Sequence, residues 1–378
     1  MDFCVSYARP RFPTLPAGVL RRPVTFGLPV DGRPLIVVAS TSSASKREFG
    51  GLNAPLEPRT TAGKFLSGVL LDDRDNFRVA ARKELERLAN ERDEAAARLQ
   101  LSLGSDEACL HRRIAEFKEH ECRDAVEEVM YMLIFHKFNE MRVHLIPRLS
   151  EGVYNGRLEI WPSKDWELES IHSFEVLQMV REHLRAVVGW RSISNVTASW
   201  ATTEIQRLKL CKLYAASILY GYFLKSASLR HHLERVLDLS NSHFGIGARN
   251  QLSAPEMFSV GSDYITSGRV GSAKSSSVGR VSYSLGSKQE NFRFYVMGFD
   301  AETIQMCAKP KSKEAVNLIE RHSSALFGDE ETGLVETNDV ITTSFASLKR
   351  FLLEAVAFGS FLWEAENCVN AVYMLEEN

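Results

Sequence analysis

Acidic and histidine side chains are the first candidates for chemistry in this chain of 378 residues. Glu169-Ser-Ile-His172 would place a carboxylate and an imidazole on one face of a helix, the spacing that di-iron helix bundles use. Such a bundle needs a second pair and two further carboxylates, and the sequence offers only this pair. His231 and His232 are adjacent, so on a helix they point about 100° apart and cannot chelate together. The sequence therefore predicts neither a metal site nor a cofactor.

The sequence also gives only weak signals for a catalytic nucleophile or a phosphate-binding loop. Residues 245–250 and 268–271 are rich in glycine, but neither stretch joins a strand to a helix whose amides would hold a phosphate. Cys307 has Lys309 nearby, which leaves a redox role open beside the ordinary role of cysteine as a small apolar residue on a helix. Paired acids such as Glu127-Glu128 are interpreted as solvated helix surfaces. The sequence predicts no catalytic residue, and an enzyme is the less favoured interpretation.

One aromatic and charged segment is the best candidate for a binding surface. Exposed tryptophan beside basic side chains is favoured at protein interfaces, where large rings act as anchors. A structural alternative stays open, in which the two tryptophans bridge helices across an irregular loop. The predicted interaction surface consists of Arg157, Trp161, Lys164, Asp165 and Trp166.

The elements that must position these residues are mainly helices. Apolar periodicity predicts helices over Phe77–Leu99 and Ala108–Arg142. Residues 126–135 are apolar on nearly every side, which is typical of a helix in the middle of a bundle. Asn155-Gly156 favours a tight turn and so a short hairpin. The fold is therefore predicted to be all-α or mostly α.

A pattern in the middle of the chain recurs near its end. Residues 173–189 align without a gap on residues 312–328, and residues 210–224 align on residues 348–362. The two shifts differ by one residue, which corresponds to one insertion in a loop. We therefore expect two related helical units that each contain one copy of a duplicated helix pair.

Two glycines occupy the same place in the two copies. Gly221 and Gly359 both lie inside strongly helical segments, where glycine costs about 1 kcal/mol relative to alanine. A close approach of another helix backbone would explain this cost, since a Cβ would clash there. We expect the two helices of each copy to cross at this glycine.

Composition changes along the chain predict its domain organisation. The first 39 residues carry five arginines against two aspartates, with no helical periodicity, which is typical of an organelle transit peptide. A serine-rich and glycine-rich stretch between the two copies is typical of a flexible linker. The predicted organisation is a plastid transit peptide (1–39), a Ser-rich linker (40–52), an N-terminal helical unit (53–240), a disordered Ser/Gly-rich linker (241–288) and a C-terminal helical unit (289–378).

Charge and cysteine usage exclude several classes of protein. The formal net charge is −2, and removal of residues 1–39 would leave 41 basic and 46 acidic residues. An acidic chain lacks the basic face that nucleic acid or anionic lipid requires, so neither is predicted as a partner. No apolar run is long enough for a membrane span. Six scattered cysteines without a CxxC pair indicate a reducing compartment.

Five strings of this sequence carry a resemblance to a known family: residues 53–59, 104–113, 129–135, 154–170 and 214–230. They resemble the plant plastid proteins called UV-B-induced chloroplastic proteins, a family of unknown function shared with cyanobacteria. The resemblance implies a plastid address, a mainly helical fold and an association with light or UV-B stress. It brings no established reaction, cofactor or catalytic residue. The second copy is similar to a shorter cyanobacterial version with a single unit.

These observations lead to two functional hypotheses. The first is a non-enzymatic interaction or regulatory protein of the chloroplast stroma, whose protein partners include stromal chaperone–protease machinery. It rests on amphipathic helices and on the lack of a converging polar constellation. The alternative is a small-molecule-binding protein or enzyme with a pocket between helices. An apolar cavity lined by convergent Arg, His or Glu side chains would favour the alternative.

Overall fold

The computed structural model describes residues 37–38, 54–154, 156–188, 201–244, 292–328 and 339–378, and these residues are mostly helical. Apart from Val37–Val38, the predicted transit peptide lies outside the described residues. The same holds for the predicted Ser-rich linker, for residues 245–288 of the Ser/Gly-rich linker and for both glycine-rich stretches considered above.

The helices include both of those predicted from apolar periodicity. The predictions over Phe77–Leu99 and Ala108–Arg142 are confirmed as α2 and α3. None of the helices in the described ranges is both long enough and apolar enough to cross a bilayer. The helices are α1 (Thr61–Asp72), α2 (Phe77–Ser102), α3 (Ala108–Glu140), α4 (Leu149–Gly152), α5 (Asp165–Glu169), α6 (Phe174–Val188), α7 (Arg207–Phe244), α8 (Phe292–Met297), α9 (Ala301–Ala308), α10 (Lys313–Phe327) and α11 (Phe345–Tyr373), with a one-turn 3₁₀ helix at Arg74–Asn76.

Short strands accompany the helices. The four-stranded sheet has the order β2-β3-β6-β5, in which β3 and β6 are parallel and the other neighbours are antiparallel. The predicted hairpin is confirmed as β2–β3, with Gly156 at φ +74°. A separate parallel pair joins β1 to β4. The strands are β1 (Val37–Val38), β2 (Val153–Tyr154), β3 (Arg157–Leu158), β4 (Ile160–Trp161), β5 (Thr202–Gln206) and β6 (Val340–Ser344).

A strand that the sequence did not indicate lies between the two helices of each predicted pair, β5 before α7 and β6 before α11. β5 and β6 are rich in threonine, isoleucine and valine, whose branched side chains favour an extended backbone. The two strands pair antiparallel about Glu204 and Thr342, with Thr202 opposite Ser344. Because α7 and α11 follow these strands directly, the two helices leave the strand pair from opposite ends.

α7 and α11 approach each other closely at the two matched glycines. A Cβ placed on Gly221 would lie 2.0 Å from the carbonyl oxygen of Val356, and one on Gly359 would lie 1.8 Å from that of Ile218. The expected close approach of a helix backbone is thus confirmed. The expected partner is wrong, because each glycine meets the long helix of the other pair rather than a helix of its own.

α11 and the second half of α3 form the centre of the core. α3 is buried almost all round from Cys122 onward, as its apolar pattern predicts. α11 is buried along most of its length, and it contacts α2, α3, α5, α6 and α7. The regions predicted as N-terminal and C-terminal units therefore share one hydrophobic core.

Two buried carboxylates on α3 contradict the prediction that Glu127 and Glu128 face solvent. Glu128 accepts hydrogen bonds from the backbone nitrogen and the hydroxyl of Thr60, at 2.8 and 2.6 Å, and so binds the residue that caps α1. Glu127 accepts from Arg321 at 2.7 Å and from Asn317 at 3.0 Å, both on α10. The cost of burying these charges is offset by hydrogen bonds from residues that are distant in sequence.

Candidate functional site

Hydrogen bonds join residues 157–166, which we call the tryptophan loop, to the start of α11. The backbone nitrogen of Ile160 donates to the hydroxyl of Ser347 at 3.0 Å. Glu159 accepts from the hydroxyls of Ser344 and Ser347 at 2.9 and 3.0 Å. Because these bonds are buried or partly buried, they hold the loop backbone more firmly than exposed bonds would.

A half-buried lysine provides the second attachment of the loop. The Nζ of Lys349 lies 2.8 Å from a carboxylate oxygen of Asp165 and 3.1 Å from one of Glu169. Burial alone would lower the pKa of Lys349, but the two carboxylates outweigh it and raise that pKa. Glu169 also pairs with Arg181. The carboxylate of the Glu169–His172 pair is therefore paired with Lys349 and Arg181.

The two indoles of the loop project into solvent. Trp161 is 56% exposed and Trp166 is 79% exposed, so the alternative in which they bridge helices is wrong. Arg157 and Lys164 are half-buried and pair with Glu159 at 3.1 Å and Glu167 at 2.9 Å. The predicted surface residues thus lie on one loop, where the charged members are neutralised and the aromatic members are free to make contacts.

His183 and His322, which align with each other in the recurring pattern, have packing roles away from this loop. The ring of His183 stacks on Tyr220 at 4.4 Å, and its Nε2 lies 3.0 Å from the hydroxyl of Ser217. The ring of His322 stacks on Phe358 at 4.3 Å. Burial lowers the pKa of both imidazoles, to about 3 for His322.

A series of polar side chains crosses the core from α11 to α10, and we call it the buried polar chain. Arg350 Nη1 donates to Glu354 at 2.9 Å, and the backbone nitrogen of Ile146 donates to the same carboxylate at 3.2 Å. The Tyr214 hydroxyl lies 3.5 Å from Glu354 and 3.1 Å from His322 Nε2. Burial raises the pKa of the Glu354 carboxyl, and Arg350 opposes that rise.

His322 should make the stability of the protein depend on pH. Its pKa in the folded protein, about 3, lies below the value of about 6.5 for an unfolded chain. Its buried neutral ring therefore makes its full contribution to the free energy of unfolding above about pH 6.5. Below that pH only the unfolded chain takes up the proton, and the free energy of unfolding falls by about 1.4 kcal/mol per pH unit.

Urea unfolding of His322→Gln measures this contribution. Between about pH 6.5 and about pH 5, wild type should lose about 2 kcal/mol more stability than the variant. His120→Gln, which removes an exposed imidazole on α3, is the matched control and should keep the wild-type slope. An unchanged slope in His322→Gln would contradict the assignment.

The remaining sequence candidates are dispersed. His172 is mostly enclosed, and burial is the main cause that lowers its pKa to about 4. His231 is buried against Tyr295, with ring centroids 4.6 Å apart, whereas His232 is exposed. Within the described ranges, no three His, Cys, Asp or Glu side chains are grouped as metal ligands.

The cysteines differ in their exposure. Cys307 and Cys122 are buried, as expected for small apolar residues. Cys109 and Cys368 are exposed on their helices.

The structure also contains a groove that the sequence did not indicate. Its volume is about 420 Å³, and it lies between α2, α3 and α11. Its floor is apolar and one end carries cationic side chains. The lining residues are Arg78, Ala81, Arg82, Leu85, Leu133, His136, Lys137, Phe361, Glu364, Ala365, Cys368, Ala371 and Val372.

Comparison with known proteins agrees with the resemblance seen in the sequence. The model of the family described as protein of unknown function (DUF760) matches residues 109–237 and 292–370. A UV-B-induced chloroplastic protein of Arabidopsis thaliana is 35% identical over 352 residues, which cover 89% of this chain and 82% of that protein. No solved structure matches the chain. The chain therefore belongs to the DUF760 family of proteins of unknown function and is a relative of the chloroplastic UV-B-induced protein.

Proposed function

We propose that this protein is a non-enzymatic interaction or regulatory protein of the chloroplast stroma that binds protein partners through the tryptophan loop. The observation that carries the proposal is the exposure of Trp161 and Trp166 on a loop fixed by buried hydrogen bonds. The Arabidopsis relative is named as chloroplastic and UV-B-induced, which supports the plastid address and an association with UV-B stress.

The loop has the physical properties of a binding surface. Tryptophan is enriched among the residues that dominate binding energy, because its large ring fills a pocket on the partner. A loop that is already ordered loses little conformational entropy on binding, so more of the contact energy becomes affinity. The charged residues around the indoles are paired within the protein, which favours an apolar pocket on the partner over a strongly charged one.

Candidate partners are components of the stromal chaperone–protease machinery. The proposal predicts that Trp161→Ala/Trp166→Ala lowers their recovery from stroma of UV-B-treated leaves by about tenfold or more, equivalent to about 1.4 kcal/mol. Quantitative mass spectrometry of the captured proteins measures this ratio. The variant should melt at the wild-type temperature because both rings are exposed.

Leu101→Ala is the matched control for the tryptophan substitutions. Leu101 is 88% exposed at the far end of α2, so its replacement also removes an exposed apolar group. The control should recover the same partners as wild type. Failure to capture any reproducible partner, or equal capture by the tryptophan variant, would refute the proposed recognition surface.

We further propose that residues 173–224 and 312–362 are two copies of one unit, related by an approximate twofold axis. This places an N-terminal unit at 53–240 and a C-terminal unit at 289–378, and the predicted linker between them, 241–288, begins within the last turn of α7. Reciprocal contacts support it, because Gly221 approaches Val356 while its counterpart Gly359 approaches Ile218. Both matched histidines stack on the matched aromatic residue of their own pair.

A second candidate function is binding of a small molecule in a pocket between helices. The groove between α2, α3 and α11 favours it, because arginine, histidine, lysine and glutamate side chains meet an apolar floor there. Its volume of about 420 Å³ lies within the range of small-molecule sites, about 300–1,000 Å³.

A further inference from the structure

The groove has an apolar floor that small residues leave open. Ala81 and Leu85 of α2 and Phe361 and Ala365 of α11 are buried beneath it. Residues 361–372 of α11 line its length, which corresponds to roughly 16 Å at the rise of an α-helix. The groove therefore suits a narrow, elongated apolar group.

The two ends of the groove differ in charge. α2 and α11 run in the same direction. The start of α2 lies beside the end of α3, where Arg78 pairs with Glu140, and Lys137 of α3 joins Glu364 of α11 there at 3.3 Å. Farther along both helices, Arg92 of α2 donates to the carbonyl of Tyr373 at 2.8 Å. Arg78, Arg82 and Lys137 therefore lie toward the end near Phe361. The other end is formed by apolar and small side chains together with the exposed thiol, namely Leu85, Cys368, Ala371 and Val372.

The cationic end is able to accept an anion. Arg78 and Arg82 are mostly exposed and pair with Glu140 and Glu86, both at 3.1 Å. Exposed pairs of this kind contribute little, so an incoming anion displaces them at small cost. The acid inside the groove, Glu364, is already neutralised by Lys225 at 2.6 Å and by Lys137. Burial opposes its ionisation, but these two ammonium groups lower the pKa of Glu364.

We propose that the groove binds an amphipathic carboxylate of the fatty-acid class. The carboxylate binds at Arg78 and Arg82, and the hydrocarbon chain lies over Leu85 and Phe361 toward Cys368. This inference rests on the second candidate function, a pocket between helices, and is independent of the tryptophan loop. It adds the chemistry and the orientation of the ligand.

Cys368 provides a direct readout of occupancy in the full-length protein. Dodecanoate, kept below its micelle concentration, should slow the alkylation of Cys368 by iodoacetamide. At a concentration about ten times its dissociation constant, the expected slowing is about tenfold. Cys109, exposed at the start of α3 and outside the groove, is the internal control and should react at an unchanged rate. Peptide mass spectrometry follows both thiols in one sample.

Matched variants and probes test separately whether the groove binds an amphiphile and whether it prefers a carboxylate. Arg78→Gln/Arg82→Gln should abolish most of the protection, whereas Arg98→Gln, which removes an exposed arginine of α2 outside the groove, should retain it. Dodecylamine should protect weakly. If dodecylamine protects Cys368 as well as dodecanoate does, or if the double variant keeps full protection, the carboxylate assignment is overturned, although the groove still binds an amphiphile. No protection by any of these amphiphiles, or equal slowing of Cys109, overturns the pocket as well.

Discussion

Replacing Gly359 with leucine is expected to lower the free energy of unfolding by about 3 kcal/mol or more. Its Cβ alone would lie 1.8 Å from the Ile218 carbonyl oxygen and 2.8 Å from the Tyr222 backbone nitrogen. The obstacle is backbone inside a helix, so no side-chain rotation relieves the overlap. α7 and α11 would have to separate, and the core that surrounds them would lose contacts.

Urea unfolding compares this variant with Gly68→Ala. Gly68 lies within α1, where an added Cβ meets nothing within 4 Å. That control should be neutral or stabilising by up to about 1 kcal/mol, because alanine favours a helix. Equal stability of Gly359→Leu and wild type would contradict the close approach of α7 and α11.

A double-variant cycle tests the proposed twofold relation of the two copies. Gly221→Ala and Gly359→Ala should each destabilise the protein, because each Cβ meets a carbonyl oxygen at 2.0 Å or less. Either substitution should push α7 and α11 apart. If one separation of the helices relieves both overlaps, the double variant should lose less free energy of unfolding than the two single variants lose together. Sites that share no element normally add within about 0.5 kcal/mol. Additive costs would therefore count against a reciprocal contact.

Breaking the buried ion pair should have an effect of similar size. Glu354→Leu is expected to lower the free energy of unfolding by about 3–5 kcal/mol, because it leaves the guanidinium of Arg350 buried without its carboxylate. Arg350→Met/Glu354→Leu removes both charges and should recover most of the loss. Chemical denaturation of the three proteins at one pH measures both effects.

Glu94→Leu provides the comparison at the surface. Glu94 and Arg98 have the same spacing on α2 as Arg350 and Glu354 on α11, but both side chains are exposed. Breaking the exposed pair should cost about 0–1 kcal/mol. If Glu354→Leu cost no more than Glu94→Leu, Arg350 and Glu354 would not form the buried ion pair that the structure places in the core.

Much of the helical architecture was predictable because it depends on local patterns. The apolar periodicity of α2 and α3 gave their positions to within a few residues at either end. The all-round apolar stretch of α3 indicated its burial, and the cost of glycine within a helix indicated a close backbone approach at Gly221 and Gly359. Each of these signals is contained within a few turns of one helix.

The features that were missed depend on residues far apart in sequence. Glu127 appears solvated until α10 brings Arg321 to it, 194 positions later in the chain. β5 and β6 are only five residues long, and their pairing joins segments more than a hundred positions apart. The groove arises where small residues of α2 and α11 face each other over α3, and no local pattern marks that meeting.

The central position of α11 has a consequence for the order in which the protein assembles. Residues 345–373 contact α2, α3, α5, α6 and α7, so these core contacts join segments that are made at different times. Contacts between distant segments form slowly, and the apolar surfaces that they cover stay exposed meanwhile. The packing of α2, α3 and α7 is therefore completed only after residues 345–373 have been made.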